Sequence, residues 1–90
     1  MANVVITIKI MPESLEVNLK DIEKNAREYI NKYGEVGKIE REKVAFGLEA
    51  VNLTFVMDEK KGSTDELEDL LRNMDGVASV EVTDVRRAIG

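Results

Sequence analysis

The sequence contains no cysteine and no histidine. Without cysteine there is no disulfide, no thiolate metal site and no thiol nucleophile. The same absence fits a reducing compartment. Without histidine, the commonest general base, the commonest transition-metal ligand and the usual pH switch are missing together. Any catalysis would fall to carboxylates, Lys, Arg, Tyr, Ser or Thr. Aromatic residues are scarce: Phe46, Phe55, Tyr29 and Tyr33 are the whole supply. That leaves no aromatic-studded strand on which bases could stack. Basic residues are outnumbered, 13 against 18 acidic ones, for a net charge of −5. Phosphate neutralisation supplies most nucleic-acid affinity, so no direct nucleic-acid partner is expected. No apolar run approaches the ~20 residues that span a membrane. The opening MANVVITIKI is too short and too alternating for a signal peptide. The expectation is a soluble, cytoplasmic chain that meets no membrane, folded as a single domain over residues 1–90 with a modest core.

What is present is periodic. Val4 to Ile10 alternates, with Val4, Ile6, Ile8 and Ile10 on one side and Val5, Thr7 and Lys9 on the other, which predicts a half-buried strand. Pro12 cannot donate to a sheet ladder and should end it. Asn18 suits a helix N-cap, and Leu19, Ile22, Ala26, Ile30 and Tyr33 recur at helical spacing. This spacing predicts a helix over Leu19 to Tyr33, with Gly34 as its C′ glycine. Ile39 to Val44 is charged in the middle, as edge strands often are. Val51, Leu53, Phe55 and Met57 alternate with polar neighbours and carry an apolar face heavy enough for a central strand. Gly47 lies between these two segments, so a hairpin or irregular corner is expected there. After the polar loop Asp58 to Gly62, Ser63 and Glu66 have capping-box spacing. Leu67, Leu70, Leu71 and Met74 share the face of a second helix, which Asp75-Gly76 stops. Val77 to Val85 reads as a last strand, with Val80 and Val82 on one face unless a bulge intervenes, and Arg86 to Gly90 as a tail.

The order is strand, helix, strand, strand, helix, strand. One sheet carrying both helices on one face buries these stripes most simply. Right-handed crossovers then give an α+β, ferredoxin-like βαββαβ plait with a four-stranded antiparallel sheet.

That fold hosts many functions, so the residues must decide. A metal-chaperone plait needs a cysteine pair. Gly34 and Gly37 open no helix and form no phosphate cradle. Asp58, Glu59, Asp65, Glu66, Glu68 and Asp69 read as a solvated loop and a helix N-terminus, where negative charge is favourable, and not as a metal site. A small-molecule-binding regulatory plait, the alternative function, would want glycines after the first strand, where Met11-Pro12-Glu13-Ser14 stands. An acylphosphatase-like hydrolase would want an arginine in that loop, and none precedes Arg27. Two features remain. Phe46 is either core at a hairpin end or a ring presented by a rigid corner to a partner. Arg86 and Arg87 are either solvated or able to reach an acidic or phosphate-bearing partner.

Ile39 to Leu48, IEREKVAFGL, with the strand Val51 to Met57, the segment DEKKGSTDELEDLL and the closing VEVTDV, resembles the elongation factor one beta family, in its short archaeal form. The resemblance covers nearly the whole chain and is most specific at the AFGL corner, the strand and the acidic helix. It implies a guanine-nucleotide exchange factor for the GTPase that brings aminoacyl-tRNA to the ribosome, met in its GDP-bound or nucleotide-free form. It implies no cofactor, no covalent chemistry and so no enzyme. In that family the corner phenylalanine enters an apolar site on the GTPase, a role that falls on Phe46, with Gly47 matching the glycine after it. Eukaryotic members direct a lysine near the C-terminus to the magnesium and phosphate site. No lysine occurs after Lys61 here, and Arg86 or Arg87 is the nearest basic substitute.

Overall fold

The structure is a computed structural model and describes residues 3–61 and 64–88. Strands β1 (Asn3–Pro12), β2 (Gly34–Lys43), β3 (Glu49–Asp58) and β4 (Val77–Ala88) form one sheet in the order β2-β3-β1-β4. All neighbours are antiparallel. Helices α1 (Leu19–Ile30) and α2 (Asp65–Arg72) supply the two crossovers. This is the ferredoxin-like plait.

The core obeys the predicted periodicities. Ile6, Ile8 and Ile10 of β1 alternate inward, as do Val51, Leu53, Phe55 and Met57 of β3. They meet Ile22, Ala26 and Ile30 of α1 and Leu67 and Leu71 of α2. The opposite face of the sheet has no helix over it and carries half-exposed Val5, Thr7, Lys9, Asn52 and Thr54. There the Thr7 and Thr54 hydroxyls bond each other at 3.1 Å across the two central strands.

Several boundaries differ from expectation. Asn18 caps α1 as predicted, its Oδ1 accepting from the Lys20 N–H at 2.9 Å. The helix, however, stops at Ile30 and not Tyr33, because the Lys32 and Tyr33 N–H groups reach back only to Tyr29 and Ile30. This tighter turn lets Gly34 open β2, opposite Met57. A Cβ at Gly34 would stand 2.2 Å from the Val56 carbonyl oxygen, so this glycine serves close strand approach and not a helix end. Pro12 is the last residue of β1, at an irregularity that tolerates its missing N–H.

The last strand runs to Ala88, so Arg86 and Arg87 belong to β4 and not to a tail. Register shifts leave Ala78 and Thr83 without a partner on β1. Each inserted residue re-aims the side chains beyond it. Val82 therefore lies opposite Ile8 and Val85 opposite Ile6, although three positions separate them. Thr64 is the N-cap of α2; its hydroxyl donates to Glu68 Oε2 at 2.7 Å and not to the helix backbone. The capping box expected from Ser63 lies outside the described residues.

Candidate functional site

β2 and β3 form a hairpin whose last pair is Lys43 with Glu49. Beyond it, the Val44 N–H donates to the Leu48 carbonyl at 2.9 Å, and the Leu48 N–H to the Ala45 carbonyl at 3.2 Å. Those bonds close a loop with Phe46 and Gly47 at its two central positions. Phe46 has φ 61° and ψ 29°, and Gly47 has φ 76°. Two successive left-handed residues make a type I′ turn, the mirror-image turn that matches strand twist and normally carries Asn-Gly or Gly-Gly.

Phenylalanine is an unusual first residue for that turn. A left-handed conformation costs a side-chain-bearing residue about 1–2 kcal/mol. Phe46 is the only described non-glycine residue with positive φ. Nor does burial offset the cost, since the side chain is 92% exposed. The core reading of Phe46 therefore fails. Phe55, by contrast, is 0% exposed at the centre of the core. Strain of this kind persists where the surroundings over-determine it and gathers at binding sites.

Near the base of the hairpin, on the uncovered sheet face, Glu42 accepts from Asn52 Nδ2 at 3.0 Å and faces Lys9 Nζ at 3.5 Å. The Asn52 hydrogen bond first, then the Lys9 charge, hold the Glu42 carboxyl below the usual carboxylate range. A depressed carboxyl contributes its stability above the ordinary glutamate range and loses it as pH falls through the folded value. In an NMR titration Glu42 is expected to titrate below the usual glutamate range, and Asn52→Ala should move it upward. A Glu42 midpoint unchanged by that substitution would refute the pairing. On the helix side, Arg41 clasps Glu23 of α1 through two bonds of 3.4 Å. The Glu23 hydrogen bond first, and then its charge, raise the Arg41 pKa further.

Arg86 and Arg87 lie at the other end of the sheet. Arg86 Nε bonds Asp84 at 2.9 Å, and an Arg87 amino group bonds Glu59, just after β3, at 2.9 Å. Arg86 stands opposite Val5 on the uncovered face, while Arg87 stands opposite Val4 on the helix side. Ten residues of β3 separate this end from the hairpin, a span of about 30 Å. The arginines and Phe46 are thus not brought together. No described helix is long and apolar enough to cross a membrane.

Similarity to known proteins extends along nearly the whole chain. Residues 5–88 match the model of the EF-1 guanine nucleotide exchange domain. Elongation factor 1-beta of Methanothermobacter thermautotrophicus is 45% identical over 87 residues, covering 97% of this chain and 98% of that protein. The Methanobrevibacter smithii protein of the same name is 42% identical with the same coverage. The Staphylothermus marinus one is 34% identical over 88 residues, again covering 97% and 98%. Among solved structures, the ACT domain from GTP pyrophosphokinase of Chlorobium tepidum has a TM-score of 0.62 at 22% identity, covering 89% of this chain and 97% of that one. LarC2, the C-terminal domain of a cyclometallase, has a TM-score of 0.64 at 12% identity, covering 99% and 58%. Those structural likenesses show the shared plait and nothing about ligands. The sequence matches do more: this chain belongs to the EF-1 guanine nucleotide exchange domain family and is a guanine-nucleotide exchange factor of translation elongation.

Proposed function

We propose that this domain accelerates GDP release by docking Phe46 into an apolar site on the elongation GTPase that carries aminoacyl-tRNA. The single observation that carries the proposal is the strained, exposed ring at the hairpin tip. An exposed aromatic on a closed turn, whose backbone has little freedom left to lose, makes a strong anchor. The factor binds the GDP-bound form, then favours the nucleotide-free one. By linkage, whatever factor it gains in affinity for the empty GTPase, the nucleotide loses. Reloading with GTP is then set by nucleotide supply. No bond to the nucleotide is made or broken by this chain, so it is not an enzyme, and it needs no cofactor. It works in the cytoplasm on a protein partner, with neither direct nucleic-acid contact nor membrane.

The separation of the two ends constrains how the partner docks. A partner touching both Phe46 and the arginines must span about 30 Å along β3. We assign the arginine end to the phosphate and magnesium side of the GTPase. Both arginines are already ion-paired, so reaching a phosphate means exchanging Asp84 or Glu59 for it. Exposed pairs of this kind are worth little, so the exchange is easy. Release of fluorescent GDP from the cognate GTPase tests the assignment. Arg86→Ala and Arg87→Ala, made separately, should show one variant with a clearly reduced maximal rate and an unchanged melting temperature. If both variants match the unaltered protein, the arginine assignment is wrong.

A further inference from the structure

We infer that Leu15 is a second apolar anchor for the GTPase, so that the hairpin end of the domain grips its partner at two points. The inference rests on the exchange-factor reading above and adds a residue to its docking surface.

Four large apolar side chains are exposed among the described residues: Leu15, Phe46, Leu70 and Val85. Two of them share this tip. A Cβ built on Gly47 would stand 3.7 Å from Leu15 Cδ2, so the leucine lies directly beside the Phe46-Gly47 turn. Leu15 is 69% exposed, yet its loop is tied down on both sides. The Glu13 N–H donates to the Gly76 carbonyl at 2.9 Å. On the far side, the Val17 N–H donates to the Ser14 carbonyl at 3.4 Å, and the Val17 side chain packs on the core and over Gly76. Asn18 then begins α1. A leucine at the apex of so fixed a loop is presented to solvent and not merely frayed.

Between Leu15 and the turn lies a hollow of about 100 Å³, walled by Leu15, Val17 and Leu48 on its apolar side and by Ser14, Gly47 and Glu49 on its polar side. It has room for the end of one side chain that meets both apolar and polar groups. The hollow reaches Gly47 of the Phe46-Gly47 turn, and we assign its occupant to the same GTPase. Exposed Glu13 and Glu16 flank Leu15 in the chain and Glu49 lines the hollow, with Lys43 paired opposite Glu49. This predominantly acidic rim would repel a second copy meeting it tip to tip and attract a partner with a basic rim.

The test is GDP release from the cognate GTPase preloaded with fluorescent GDP, measured over a range of exchange-factor concentrations. Leu15→Ser should raise the half-saturating concentration about tenfold, as loss of an interface anchor does. The maximal rate and the melting temperature should stay close to those of the unaltered protein. Leu15→Met, which restores an apolar side chain, should recover most of the affinity. If Leu15→Ser keeps the half-saturating concentration while Phe46→Ala raises it, the inference fails and the exchange reading stands. If the unaltered protein accelerates nothing, the reading falls and the inference with it. Self-association that Leu15→Ser abolishes would assign the hollow to a second copy and overturn the inference.

Discussion

Phe46→Asn is expected to raise the melting temperature of this domain and to lower its exchange activity in the same variant. The two effects have one cause. Residue 46 occupies the first central position of a type I′ turn, at φ 61° and ψ 29°. Asparagine tolerates that conformation far better than phenylalanine, because its short polar side chain bonds locally. With the ring 92% exposed, removing it costs the folded state almost no burial. The gain should be about 0.5–1 kcal/mol, a part of the left-handed penalty. For a domain of this size that means a rise of roughly 2–8 °C, readable in a thermal melt. The exchange reaction, in contrast, loses its aromatic anchor. Truncating such an anchor typically costs about 2 kcal/mol or more, so the apparent affinity for the GTPase should fall at least ~30-fold. A melting temperature lowered by several degrees would show that the ring packs against the domain after all. Unaltered exchange would show that the ring touches no partner.

Phe55→Ala carries the other large effect, and it has the opposite character. Phe55 sits on β3 between Ile6 of β1 and Val36 of β2, with no exposed surface. Its removal leaves a cavity that rigid neighbours on two adjacent strands cannot fill. Losses for such substitutions are about 3–5 kcal/mol. A small domain has about 5–15 kcal/mol in all. Urea unfolding should therefore show a sharply lowered midpoint, and exchange should decline with the folded fraction. A loss under about 1 kcal/mol would mean that the core closes over the gap, contrary to the close packing that interiors show. The two phenylalanines divide the labour: one holds the domain together, and the other is held out by it.

The central strands were legible because helices cover one face of the sheet only. That asymmetry writes a period of two into Val4–Ile10 and Val51–Met57. The N-cap at Asn18 was legible for a local reason, since its side chain bonds a backbone N–H two residues on. What escaped depends on non-local geometry. Tyr33 keeps the helical period and packs partly on the core, yet the chain has already tightened out of the helix. Gly34 looked like a helix stop, but its reason lies across the sheet at Val56. The inserted residues Ala78 and Thr83 shift the parity of β4, and nothing in their own chemistry announces a bulge. The same strand hid Arg86 and Arg87, whose segment has no apolar alternation to mark it.

At the site, the turn was foretold by Gly47, and its type was not. The exposure of Phe46 comes with the left-handed backbone, which composition does not encode. The exposure of the ring rules out the core reading, and its role toward a partner is the proposal. Leu15 stood in a connection with no periodic signal, and only the fixed loop around it shows that it is presented.

The most direct measurement is release of fluorescent GDP from the cognate elongation GTPase, with this protein and its Phe46→Ala variant at equal micromolar concentrations. The account predicts that the unaltered protein speeds release many-fold and that the variant, equally stable, loses most of that acceleration. Equal acceleration by both proteins would contradict the role of Phe46, and no acceleration by the unaltered protein would contradict the exchange function itself.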